Sequence, residues 1–298
     1  MRRALAALAA TLALVSGCTA ATTPARWHPA PMASGQVVAP RETTLPPRAG
    51  AAPTRPLPVA VRTLTVTNGP DRVLPTTVWY PTATGRFPVV VFSHGLTGLP
   101  TDYAALLARW ATAGFVVAAP AYPHTSRGVA RFDITDVLNQ PADASAVLTA
   151  VLDDAALRDR VDPAHVAAAG HSAGAITTVG LFTGARDPRL SAGVVLAGNA
   201  LGFGTRYTGP PAALLFVHGD RDGVVSYASG KAAFAAAPWP KAFLSVPGGG
   251  HTDPYIRPGT TGYATVAATT TDFLRWALYG DRAAYRRLAA TGSIDDEL

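Results

Sequence analysis

The chain is short of cysteine, lysine, methionine and charge. One cysteine among 298 residues excludes a disulfide scaffold, a cysteine-based zinc site and a cysteine-ligated iron–sulfur cluster. Charged residues make up 15% against 48% hydrophobic, which excludes a wholly disordered chain or a coiled coil. The apolar run from Ala4 to Val15 falls short of the roughly 20 residues that a membrane-spanning helix needs. Lysine occurs only at Lys231 and Lys241, so the formal net charge of +6 is arginine-based. Residues 1–58 hold six arginines against Glu42 alone. The remainder is therefore nearly neutral, and nothing favours a phosphate backbone as partner; no nucleic-acid binding is expected.

What is present begins with an address. Arg2 and Arg3 precede the apolar run, which fits the h-region of a signal peptide. The run ends in Val15-Ser16-Gly17-Cys18, which resembles a bacterial lipobox, with the single cysteine at the position that is lipidated. The expectation is a lipoprotein signal peptide over 1–17 and an anchor on Cys18, with the protein in the cell envelope on the outer side of the cytoplasmic membrane, or secreted. An ordinary signal peptide with a chance cysteine is the alternative. Residues 18–58, rich in Pro, Ala and Thr, show no apolar period. They read as an extended, semi-rigid tether, or else as an irregular arm packed across the domain.

From residue 59 the pattern changes to short apolar strands alternating with helical stretches. Strands are expected at Val61–Val66, Thr76–Tyr80, Pro88–Phe92, Phe115–Ala119, Val166–Ala169, Gly193–Leu196, Leu214–Val217 and Phe243–Val246. Helices are expected at Asp102–Ala113, Asp143–Leu152, Ala175–Phe182, Ser229–Ala236 and Tyr263–Leu278. This alternation predicts an α/β fold: a mostly parallel twisted sheet with helices on both faces. The catalytic or binding domain spans 59–280, and residues 281–298 read as a C-terminal tail, helical and then acidic.

The chemistry sits at strand ends. Gly170-His171-Ser172-Ala173-Gly174 lies between a strand and a helix, the setting of a nucleophile elbow. A turn that sharp admits only small residues two positions either side of Ser172, and the helix after it offers N–H groups to an anion. A serine hydroxyl needs a base to take its proton. Of seven histidines, His251 follows the last expected strand in Pro247-Gly248-Gly249-Gly250-His251, a loop free enough to carry its ring to the elbow. A carboxylate should orient that ring, and His218-Gly219-Asp220-Arg221-Asp222-Gly223-Val224-Val225 offers two. An oxyanion needs two N–H donors. One is the amide of Ala173, and the other should lie in Ser93-His94-Gly95-Leu96-Thr97-Gly98. His94 reads as a buttress of that loop. The span from Leu196 to Ala213 is too short for a large lid domain, so an open cleft is expected, with Tyr122, Leu201 and Phe203, beside Leu96, as candidate walls of an acyl pocket.

Taken in order, the His-Gly loop, the elbow, the acid turn and the Gly-His loop resemble the α/β-hydrolase superfamily over residues 88–253. Pro88-Val-Val-Val-Phe-Ser-His-Gly95 and Gly114-Phe-Val-Val-Ala-Ala-Pro120 resemble the group of dienelactone hydrolases, chlorophyllases, platelet-activating-factor acetylhydrolases and bacterial polyester hydrolases. The resemblance implies Asp222, just before Gly-Val-Val, as the acid, with Asp220 a turn residue, and it implies the Leu96 amide as the second oxyanion donor. It implies carboxylic-ester hydrolysis through an acyl-serine. The polyester hydrolases carry an aromatic at the Leu96 position, a Met at the Ala173 position and a Trp where this chain has Gly198-Asn199-Ala200-Leu201. Acyl transfer to an envelope acceptor is the alternative, and a non-catalytic binding lipoprotein a further one. No metal, no cofactor, a small-molecule or lipid ester substrate and a monomer are expected.

Overall fold

The computed structural model describes Leu45 and residues 48–298. The expected signal segment, Cys18 and the expected tether up to residue 44 lie outside the described residues. Nine strands share one sheet: β1 (Val59–Thr67), β2 (Val73–Pro81), β3 (Phe87–Ser93), β4 (Val116–Pro120), β5 (Val161–His171), β6 (Leu190–Leu196), β7 (Ala213–Gly219), β8 (Lys241–Val246) and β9 (Ile294–Glu297). Their order is β1-β2-β4-β3-β5-β6-β7-β8-β9. The strands from β4 across to β8 run parallel. The β1–β2 hairpin joins antiparallel on one side and β9 on the other. The crossovers carry α1 (Ala104–Thr112), α2 (Gln140–Asp153), α3 (Ala173–Gly180) and α4 (Tyr227–Ala236), while α5 (Asp253–Ile256), α6 (Tyr263–Leu274) and α7 (Arg282–Ala289) lie between β8 and β9.

The run Pro88-Val-Val-Val-Phe92 is continuous rather than alternating because β3 is buried on both faces. Val90 and Phe92 join a core layer with Trp110 of α1 and Phe273 of α6. Val89 and Val91 point the other way, into a layer with Leu148 of α2 and Phe182. Successive side chains alternate across the pleat, so one apolar run serves two layers. Each buried Val or Phe contributes about 1.5–3 kcal/mol, which fixes the strand ends that carry the polar loops.

Two segment boundaries differ from expectation. The C-terminal stretch is no free tail: β9 pairs with β8 through Lys241↔Glu297 to Leu244↔Ile294. Its acidic residues suit an exposed edge strand, where charge discourages pairing with another chain. The end of the expected tether also lies on the domain. Ala49 N–H donates to the Leu278 carbonyl at 2.7 Å and Leu57 N–H to that of Thr112 at 2.8 Å, while Arg48 covers the Trp276 ring. The span 197–212, between β6 and β7, contains no helix.

Candidate active site

The C-terminal ends of β3, β5, β7 and β8 bring four loops to one edge of the sheet. At the end of β5 the chain reverses into α3 at Ser172, whose φ of 57° and ψ of −119° are sparsely populated for a residue with a Cβ and cost roughly 1–3 kcal/mol. The turn is tied down by Ser172 N–H to the Leu196 carbonyl at 2.9 Å, and by the amides of Ala175 and Ile176 to the Ser172 carbonyl. Gly170 and Gly174 are required sterically. A Cβ on Gly170 would run into the Gly174 carbonyl, and one on Gly174 into the Ser93 carbonyl. The serine is thus presented beside the loop that follows β3.

Ser172 Oγ lies 2.8 Å from His251 Nε2, and His251 Nδ1 lies 2.8 Å from Asp222 Oδ2. These three residues come from loops after β5, β8 and β7. The last two loops are zipped together: Arg221 N–H donates to the Gly249 carbonyl and Gly248 N–H to Asp220 Oδ1 at 2.7 Å. Asp220 therefore supports the glycine loop, and Asp222 is the carboxylate that reaches His251. The Asp222 side chain is fully buried and accepts four hydrogen bonds. Oδ1 takes the amides of Val224 and Val225; Oδ2 takes His251 and, at 3.2 Å, His218 Nε2. Burial pushes its pKa up, but the bonds from His218 and His251 and the charge of His251 outweigh this. They hold the carboxyl well below the usual carboxylate range. It is ionised at neutral pH and able to fix an imidazole with Nδ1–H toward itself and a bare Nε2 toward the hydroxyl.

The loop after β3 lies against this serine. A Cβ on Gly95 would sit 3.2 Å from Ser172 Cβ. His94 sets the peptide that follows. Tyr122 N–H donates to its Nε2 at 3.2 Å, so Nδ1 carries the proton and donates to the Gly95 carbonyl at 2.7 Å. Gly98 N–H binds the same carbonyl. In a trans peptide the carbonyl of Gly95 and the N–H of Leu96 point in opposite directions, so anchoring one aims the other. The Ala173 amide, first in α3, has no intrahelical partner. Between them these groups can remove a proton from an alcohol and receive a negative oxygen.

Residues 48–201 match the chlorophyllase family model. The chain belongs to the chlorophyllase family. That places it in the α/β-hydrolase superfamily, in agreement with the sheet. The matched segment of this chlorophyllase-family chain includes Gly95, Leu96, Ser172 and Ala173 and stops before Asp222 and His251. The chain is also similar to cutinase est2 of Thermobifida alba, with 30% identity over 199 residues, 64% of this chain. It spans 61% of the length of that curated relative.

Other expected site residues fall elsewhere in this chlorophyllase-family domain. Tyr122 is not a pocket wall. It is fully buried, its hydroxyl bonds Ser93 Oγ at 2.7 Å, and its ring packs on His94. An aromatic after a strand end suggests a wall, but burial and a polar partner make it a prop for the β3 loop. Phe203 packs on Gly180 at the C-terminal end of α3, about 12 Å along the helix from Ser172 at 1.5 Å per residue. It covers the helix rather than the cleft. Leu201 is exposed after β6, and Leu138 lies against its neighbour Gly202. Three residues that sequence reasoning left without a role, Tyr103, His171 and His218, pack around the site. Their signal, a polar side chain bound for a buried position, shows only in three dimensions.

His94 and His171 are buried and neutral. Burial lowers their pKa to about 4 and about 3. The unfolded chain binds protons at these histidines below about pH 6.5 while the folded chain does not. Stability is therefore present above pH 6.5 and is lost as pH falls toward these folded-state values. Between pH 7 and 4.5 each should cost roughly 2–3 kcal/mol. Urea unfolding at the two pH values should show this loss, and His94→Gln should roughly halve it. An unfolding free energy unchanged between them would contradict burial of neutral imidazoles.

Proposed function

We propose that this chain is a serine carboxylic-ester hydrolase that works through an acyl-serine. The observation that carries the reading is the pair of 2.8 Å contacts, Ser172 Oγ to His251 Nε2 and His251 Nδ1 to Asp222 Oδ2, at a strained turn. Chlorophyllase-family membership and the likeness to a cutinase support it.

In this reading His251 Nε2 takes the Ser172 proton as Oγ attacks the ester carbonyl carbon. The carbonyl oxygen becomes an oxyanion received by the N–H groups of Leu96 and Ala173, each worth roughly 10²–10³ in rate. The imidazolium, held by ionised Asp222, gives its proton to the departing alcohol. Water then attacks the acyl-serine by the same route, releasing the acid and restoring the hydroxyl.

p-Nitrophenyl esters of graded acyl length test the reading, with and without added short alcohols. Turnover that is unaffected by the alcohol is expected. Absence of turnover on every ester would overturn the hydrolase reading. Rates that climb with alcohol concentration, with new ester as product, would move it to acyl transfer.

A further inference from the structure

A hydrogen-bonded chain runs from the β3 loop to the His251 loop through Tyr103 and His171, neither of which hydrogen-bonds Ser172 Oγ or the His251 ring. Gly95 N–H donates to Tyr103 Oη at 3.2 Å. Tyr103 Oη lies 2.8 Å from His171 Nδ1, and His171 Nε2 lies 2.6 Å from the His251 carbonyl. The direction of every bond is forced. A carbonyl only accepts, so His171 Nε2 carries its proton. The imidazole is neutral, so Nδ1 is bare and accepts from the Tyr103 hydroxyl. Burial keeps that hydroxyl protonated, and its oxygen accepts from an amide that can only donate.

Tyr103 and His171 are themselves fixed. Tyr103 packs on Phe92, with ring centroids 4.7 Å apart. His171 lies between the rings of His251 and Tyr255, each with its centroid 4.9 Å away. His171 is also bonded covalently to Ser172. His171 thus ties the elbow to the loop bearing His251, and through Tyr103 to the loop bearing the Leu96 amide.

We propose that Tyr103 and His171 are positioning residues: a polar strut that sets the distance between the His251 ring and the Leu96 amide around Ser172. The proposal rests on the hydrolase reading above. A base and an oxyanion donor on separate loops must agree to within a fraction of an ångström, and misplacement by 1 Å can cost about 100-fold in rate. Ground-state binding of substrate does not depend on that agreement, so the strut acts on kcat rather than KM.

Tyr103→Phe removes only the hydroxyl and keeps the ring that packs on Phe92. It is expected to lower kcat for p-nitrophenyl butyrate about 10–100-fold with KM within about threefold. His171→Leu should do the same, and His171→Gln, which keeps a donor and an acceptor, should recover part of the loss. The double variant Tyr103→Phe/His171→Leu should be no slower than the worse single one, because both break one strut. Wild-type kcat in Tyr103→Phe, or losses that multiply in the double variant, would overturn the strut while leaving the hydrolase reading intact. Should His171→Leu fail to fold, the kcat and KM of Tyr103→Phe and of His171→Gln decide alone. A wild-type protein without ester turnover would remove the hydrolase reading, and the strut with it.

Discussion

His251→Ala is expected to lower kcat for p-nitrophenyl butyrate by roughly 10⁶-fold, the scale on which removing a serine's general base abolishes turnover. The loss belongs to chemistry rather than to folding. The His251 side chain is partly exposed and sits on a glycine loop held by backbone contacts, Gly249 N–H to the Val246 carbonyl and Arg221 N–H to that of Gly249. Truncating the ring leaves those bonds in place, so the thermal midpoint should move by only a few degrees. Without the imidazole, Ser172 keeps its proton at neutral pH. Activity within tenfold of wild type would remove His251 from the mechanism.

Asp222→Asn is expected to cost roughly 10⁴-fold in kcat, with a loss of stability larger than that of His251→Ala. The Asn carbonyl would retain the amides of Val224 and Val225, which leaves its NH2 facing His251 and His218. His251 can meet that NH2 only by moving its proton to Nε2, where it can no longer accept from Ser172. His218 cannot adapt in the same way, because its Nε2–H also serves the Val225 carbonyl at 3.0 Å. Two donors then face each other in a buried site, a conflict worth about 1–3 kcal/mol. Asp220→Asn is the control. Asp220 is exposed and accepts a backbone amide, a bond the Asn oxygen can keep, so activity should stay within tenfold. Equal losses in the two variants, or near-wild-type kcat in Asp222→Asn, would contradict the assignment of the acid.

Much of the sheet was readable because strands buried on both faces leave continuous apolar runs, as at Pro88–Phe92 and Leu214–Val217. The elbow and the two loops that face it were readable because their glycines answer local steric demands, which a linear pattern records. β9 was not, since Ile-Asp-Asp-Glu carries no alternation and pairs only because β8 offers an edge. The stretch 48–58 leaves tether and packed arm both open in the sequence, since its attachments are backbone bonds to the carbonyls of Leu278 and Thr112. Tyr122 differs from expectation because a strand-end aromatic can face the cleft or the core, and the choice depends on its contacts with Ser93 and His94. The roles of Tyr103 and His171 leave no local pattern for a related reason: their partners lie 68 and 80 positions away along the chain.

Rapid-quench mass spectrometry during p-nitrophenyl ester turnover tests the central claim most directly. One acyl group per chain on the peptide carrying Ser172, formed in a burst with one equivalent of p-nitrophenol, is the expected result. Ester cleavage with Ser172 unmodified throughout, or acyl found only on another residue, would contradict it.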